Sequence, residues 1–172
     1  MKTGNWLKIL LVIKSGIGYD VHSLAKGEEL IIGGVKISSP LGSVGHSDGD
    51  VLLHAIVDAL LGAAKLGDIG IHFTSSDERW KGKESNYFLE HAALLVREKG
   101  FVIDYVDSTV ILEKPKLADI IPEMVYKISY TLQIDEAAVS IKATTTDKMG
   151  FIGRGEGVGA MAIATILSLI HI

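Results

Sequence analysis

Apolar and polar positions recur with different periods along the chain, and each period predicts an element. From Asp50 to Lys65 the apolar residues Val51, Leu52, Ala55, Ile56, Ala59 and Leu60 fall at a helical spacing. Asp48 and Asp50 suit its electropositive start, and Gly67-Asp68-Ile69-Gly70 ends it. Leu30 to Ile37 carries Gly33-Gly34 between apolar residues, which predicts a hairpin or tight turn. Ser38 to Gly45, rich in Ser, Gly and Pro, reads as a loop, and Phe73 to Glu84 is polar and irregular. Ser85 is placed to cap a second helix that runs to about Lys99 and stops at Gly100. From Phe101 to Glu113 the period drops to two. Val106, Ser108, Val110 and Leu112 share one face, Asp107, Thr109 and Ile111 the other, and Pro115 breaks the run. A third helix is predicted from Asp119 to Leu132, then a strand from Val139 to Thr144 that enters a glycine-rich loop, Gly150 to Gly159.

The two ends are apolar. Ile9 to Ile13 reads as a first strand behind a short leader, because five apolar residues are too few for the core of a signal peptide. Val158 to Ile172 is too short and too rich in Gly and Ala to span a bilayer, and reads as a core element, strand or helix by pattern alone. Strands and helices are mixed without repeats or a linker. The expected fold is therefore α/β, a two-layer α+β arrangement of a mixed sheet with helices packed on one face, in a single domain over 1–172 with residues 1–15 as leader or first strand.

Composition narrows the partners. Hydrophobic residues make up 48% of 172, enough for a buried core. The net charge is −4 and no basic stripe is present, which argues against nucleic acid, and no membrane is implied. Without cysteine the chain has no disulfide, thiolate ligand or Cys nucleophile.

Asp20 and His22 are two residues apart, so on an extended chain both leave the same face. Asp50 and His54 are four apart and would stack on one helix face. Each pair alone has a structural explanation. Together, a strand offering Asp and His opposite a helix offering His gives a ligand set that suits Zn²⁺, with a fourth position open to a substrate oxygen. His46-Ser47-Asp48-Gly49-Asp50 holds more polar groups than a helix cap needs, and Asp50 is a candidate acceptor for a ligand imidazole. Three consecutive threonines, Thr144 to Thr146, precede Asp147, a candidate oxygen ligand for a hard cation. Arg154, in a stretch with five glycines in ten residues, is a candidate phosphate or carboxylate contact. His72, His91 and His171 carry no pattern.

Asp20-Val21-His22, the string from His46 to His54, Leu66 to Gly70, Lys142 to Asp147 and Gly150 to Gly157 resemble, in that order, the 2-C-methyl-D-erythritol 2,4-cyclodiphosphate synthase family. The resemblance runs from about Ile17 to the end. It implies a phosphorus–oxygen lyase of the non-mevalonate isoprenoid pathway. Such an enzyme converts 4-diphosphocytidyl-2-C-methyl-D-erythritol 2-phosphate to the cyclic diphosphate and CMP, the 2-phosphate attacking the β-phosphorus. It implies Zn²⁺ or another divalent cation on Asp20, His22 and His54, and Mg²⁺ or Mn²⁺ on Asp147 with the substrate diphosphate. His46 and Thr145 match positions that stabilise the transition state. Ser47, Asp68 and Gly70 match the methylerythritol pocket, and Asp50, Phe73 and Asp77 are further substrate contacts. Lys116, Leu117, Ala143 and Thr144 match the cytidine and diphosphate pocket, with Thr146 beside them. The family is a homotrimer with active sites between subunits. Tyr19, Phe151, Arg154 and Glu156 match residues around a central cavity that can hold an isoprenoid diphosphate. The implied compartment is the bacterial cytoplasm, or a plastid-type organelle where a transit peptide has been removed.

The chain departs from the family pattern in three places. Thr74-Ser75 stands where Pro-Asp is usual, which predicts a looser substrate loop, although Asp77 survives. Asp147 is one methylene shorter than the commoner Glu, and Leu112 replaces a small residue. Two other readings fit the same residues: a metal-dependent phosphohydrolase, and a non-catalytic trimer that binds isoprenoid diphosphates.

Overall fold

The apolar run that begins at Ile9 continues through Asp20 and His22 as one strand, β1 (Ile9–Ala25). An equally extended partner, β7 (Gly157–His171), pairs with it antiparallel, from Ile9 opposite His171 to Ser23 opposite Gly157. This resolves the C-terminal segment as a strand. Val158, Ala160, Ala162, Ala164 and Ile166 are buried while Met161 and Ile163 between them are exposed, a period of two. The structure, a computed structural model, describes residues 9–74, 76–80 and 82–171; the leader over 1–8 and Ser75 lie outside them.

The strands β4 (Gly42–Val44), β5 (Val102–Ile111) and β6 (Val139–Thr144) complete a five-stranded sheet in the order β4-β1-β7-β5-β6. Only β5 and β6 run parallel, joined through the helix over Ile121–Leu132. β4 corrects the expected loop at 38–45: Gly42, Ser43 and Val44 pair with Ala25, Leu24 and Ser23, covering the free edge of β1. The predicted hairpin forms as β2 (Leu30–Ile32) and β3 (Val35–Ile37), with Gly33 and Gly34 at φ 62° and 73°, the sign both central residues need in a tight two-residue turn. The glycine-rich stretch is not a loop of ten residues. Gly150–Gly153 forms one helical turn, and Gly157 and Gly159 already belong to β7.

Among the described residues four α-helices precede that turn: α1 (Val51–Ala63), α2 (Ile69–His72), α3 (Ser85–Glu98) and α4 (Ile121–Leu132). Helices cover one face of the sheet, and α1 packs directly on β1 and β7. Small residues set that distance. A Cβ at Gly18 would lie 1.9 Å from the Ala55 carbonyl oxygen, and one at Gly16 would lie 2.1 Å from that of Ala59. Both obstacles are backbone, so the helix itself would have to retreat. Gly18→Ala should therefore cost about 3 kcal/mol, read as a lower urea midpoint at unchanged slope. Ser85 is not the cap of α3. Glu84 precedes the helix without a side-chain capping bond, and Ser85 is its first residue, buried and turned toward Asp48. No helix among the described residues is long and apolar enough to cross a membrane.

Candidate metal centre and active site

Alternation along β1 places Asp20 and His22 on the face that meets α1, and His54 lies in the first turn of that helix. Three ligand atoms converge there. Asp20 Oδ2 is 2.8 Å from His22 Nε2 and 2.9 Å from His54 Nδ1, and the two ring nitrogens are 3.2 Å apart. Among the described residues this is the one such group of three. One carboxylate and two imidazoles within reach of a single point fit a divalent cation. The remaining Asp20 oxygen, Oδ1, accepts the N–H of Val21 at 2.9 Å.

Charge within the cluster is already organised. Burial works against ionisation of Asp20, yet hydrogen bonds from His22 and His54 hold its carboxyl well below the usual carboxylate range. For His22 burial acts to lower the value, but the hydrogen bond and charge of Asp20 outweigh it and raise the imidazole above its ordinary pKa. A cation entering here must displace that proton, so its affinity falls as pH drops below the raised His22 value. His22 Nδ1 donates to the Val44 carbonyl at 2.9 Å, which leaves Nε2 facing the cluster. Pairing β4 with β1 is what brings that carbonyl into reach.

Asp50 requires a correction. It does not stack with His54, does not accept from an imidazole and is 0% exposed, so it does not reach substrate from this position. It is the N-cap of α1. Its Oδ1 accepts from Gly33, Leu52 and Leu53 and its Oδ2 from Gly34, at 2.6 to 3.1 Å. A side chain at the N-cap faces back over the first free N–H groups, and the hairpin adds two more donors.

The other candidates fall into two cavities. One, of about 220 Å³, opens beside the triad and is lined by His22, His54, His46, Ser47, Gly70 and Phe73 together with Ile69, Trp80 and Phe88. Asp68 stands at its margin as N-cap of α2, accepting the Ile71 N–H at 3.0 Å. Asp77 instead pairs with Arg79 on the exposed turn. The second cavity, of about 260 Å³, gathers Lys116, Leu117, Ala143, Thr144 and Thr145, with Leu112 and Glu113. Next to it Asp147, at φ 50°, is exposed and outside the triad. Glu113 holds this turn through the N–H groups of Thr146 and Lys148 at 3.0 and 3.1 Å. Sequence reasoning missed Ile69, Trp80, Phe88, Ser85 and Glu113. The aromatics carry only the signal of core residues, and Ser85 looks like a cap.

A mixed sheet with helices on one face, carrying a three-ligand cation site at a strand–helix junction beside a small cavity, defines an α/β protein built around a candidate metal centre. The chain belongs to the YgbB family, which matches residues 13–167. It is 52% identical over 157 residues to 2-C-methyl-D-erythritol 2,4-cyclodiphosphate synthase of Agathobacter rectalis, covering 91% of this chain and 89% of that protein. It is 51% identical to the bifunctional enzyme IspD/IspF of Erythrobacter litoralis, where 92% of this chain covers 41% of the longer protein. Among solved structures, the bifunctional IspDF from Campylobacter jejuni matches with a TM-score of 0.89 at 41% identity, over 92% of this chain and 43% of that one. IspF of Plasmodium falciparum in a CDP complex matches with a TM-score of 0.80 at 36% identity, over 91% and 96%. The chain thus spans about two fifths of the bifunctional proteins.

Proposed function

We propose that the chain is a 2-C-methyl-D-erythritol 2,4-cyclodiphosphate synthase, which closes the cyclic diphosphate and releases CMP in the non-mevalonate isoprenoid pathway. The observation that carries this is the convergence of Asp20, His22 and His54 beside a cavity lined by His46 and Ser47. The substrate's own 2-phosphate oxygen forms the new bond to the β-phosphorus, and the bond from that phosphorus to the CMP oxygen breaks. No protein nucleophile takes part. Asp20, His22 and His54 would hold a divalent cation, which we assign as Zn²⁺ and which would supply charge neutralisation to a phosphate oxygen. His46 and Ser47 orient the phosphate, and Ile69, Phe73, Trp80 and Phe88 form an apolar wall against the carbon skeleton. Lys116, Thr144 and Thr145, which line one cavity, would hold the cytidine diphosphate part, and the exposed Asp147 would hold a second cation, Mg²⁺ or Mn²⁺. The intact triad and the relatives named above favour this over the non-catalytic reading.

We further propose a homotrimer. The triad cavity and the Lys116 cavity share no lining residue, an arrangement expected if one substrate joins them across subunits. The sheet face away from the helices carries Ile13, Ile17, Tyr19, Tyr105, Met161 and Ile163, each between 41% and 66% exposed. That is an apolar surface of the kind a monomer rarely leaves uncovered. Ile17→Lys should yield monomers by sedimentation velocity and lose at least about tenfold in kcat/KM, because each site would lack half its residues. Tyr19, Phe151 and the Arg154–Glu156 ion pair at 2.8 Å are exposed, which is compatible with an isoprenoid diphosphate near the threefold axis. The bacterial relatives favour a cytoplasmic location.

The deciding experiment is phosphorus NMR of the purified protein with the cytidylated 2-phosphate, Zn²⁺ and Mg²⁺. Cyclic diphosphate and CMP in equal amounts are expected. Inorganic phosphate would point to a phosphohydrolase, and no turnover by a cation-loaded trimer to the binding-only reading.

A further inference from the structure

We propose that Ser85, backed by Asp48, is a positioning residue that fixes the imidazole of His54 in one tautomer, resting on the reading of Asp20, His22 and His54 as cation ligands. His54 turns Nδ1 to Asp20 Oδ2 at 2.9 Å, and its Nε2 lies 2.9 Å from Ser85 Oγ. Which ring nitrogen carries the proton decides whether His54 can hold a cation, since only the unprotonated one offers a lone pair.

The hydrogen bonds leave one solution. The Ser85 hydroxyl donates its single proton to Asp48 Oδ1. A carboxylate can only accept, so that direction is set from the Asp48 end. Ser85 Oγ then accepts from Nε2–H, so in the neutral ring, once the Nδ1 hydrogen bond to Asp20 is given up, the lone pair lies on Nδ1, toward Asp20 and His22. Asp48 is itself held in place. Its Oδ2 accepts the Ser85 N–H at 2.9 Å, its Oδ1 the Asp50 N–H at 3.3 Å, and its own N–H donates to the Lys83 carbonyl at 3.1 Å. Ser85 is 0% exposed, so its hydroxyl has no water to turn to. Ser47 Oγ lies 3.1 Å from the same Nε2, but its other contacts are the Gly49 N–H and Ser85 Oγ rather than a carboxylate, so nothing sets its direction.

The test turns on reversing that direction. In Asp48→Asn the Ser85 N–H retains the amide oxygen, which points the amide NH₂ at Ser85 Oγ. The hydroxyl is then released to donate to Nε2, at 2.9 Å nearer than Ser47 Oγ at 3.4 Å, and the His54 proton moves to Nδ1, where it blocks the cation. We expect zinc affinity, measured by chelator competition, to fall about 10- to 100-fold in Asp48→Asn and in Ser85→Ala. Nitrogen-15 NMR of the histidine rings in the metal-free protein, above neutral pH, should show the Nε2–H form of His54 in the unmodified chain and the Nδ1–H form in Asp48→Asn. A merely structural role would not move that signal. Unchanged affinity in both variants overturns the proposal, as does an Nδ1–H signal in the unmodified chain. A loss of affinity in Ser47→Ala that Ser85→Ala does not share also overturns it. Should Ser85→Ala fail to fold, Asp48→Asn decides alone. If the unmodified chain binds no divalent cation, the metal-centre reading falls, and the tautomer measured without metal still decides the direction of the Asp48–Ser85–His54 chain.

Discussion

His54→Ala should lower kcat by at least about three orders of magnitude, on the order of 4 kcal/mol of lost transition-state stabilisation. Stability should barely change, because His54 contributes one side chain at the edge of a helix whose core is apolar. The reason for so large an effect is geometric. Two of the three converging atoms come from one strand, and only His54 joins that strand to the helix. With it gone, Asp20 and His22 remain as an ion pair with each other rather than a three-sided site. His46→Ala is the matching control. His46 lines the cavity without belonging to the triad, so the variant should keep full metal content by elemental analysis while losing rate. If His54→Ala retained both metal and rate, the assignment of the triad would fail.

Asp50→Ala is expected to cost roughly 3 to 5 kcal/mol of folding free energy. The substitution strands four N–H donors, two at the start of α1 and two in the β2–β3 turn, three of them buried and the Gly34 N–H partly so. Asp50→Asn should fall between, since an amide can accept from only part of that set. The pH dependence separates the two further. Burial pushes the Asp50 carboxyl up to about 6, against the opposing pull of the Gly34, Leu53 and Gly33 N–H groups. A carboxyl raised in the folded state binds its proton more tightly there than when unfolded. Its contribution is therefore present in full below the unfolded value near 3.8 and declines as pH rises through about 6. Relative to Asp50→Asn, the unmodified chain should lose stability between those limits in urea titrations, and a slope of the opposite sign would contradict this account.

The elements with strong local signals were legible. The apolar spacing from Val51 to Leu60, the Gly33-Gly34 turn and the alternation from Val106 to Leu112 each carry their own period, and all three form as read. So did the convergence of Asp20, His22 and His54, because one strand spacing and one helix start suffice to aim them. What escaped is decided by distant parts of the chain. β4 is three residues of Gly, Ser and Val that become a strand only because β1 offers an open edge. The alanines of β7 fit a helix as well as a strand until α1, with its own Ala55 and Ala59, is laid against them. Asp50 and Asp48 both looked like helix-start acids. Nothing local says that one would be consumed by four backbone donors and the other would reach Ser85, 37 residues on. Trp80 and Phe88 were invisible as site residues because a cavity wall has the same composition as a core.

The pairing of β1 with β7 joins residues 9–25 to residues 157–171, the early and late parts of the chain. On the ribosome, therefore, the strand that bears Asp20 and His22 emerges well before β7 and has, among the described strands, only the three-residue β4 to pair with until β7 is made. Among the described residues β7 is also the strand that links β1 to β5 and β6, so the sheet cannot close before β7 has been made. Between the synthesis of β1 and that of β7 the nascent chain consequently carries Asp20 and His22 without the scaffold that would aim them. A cation captured early would be held loosely, and selection among cations would fall to the folded chain rather than to the growing polypeptide.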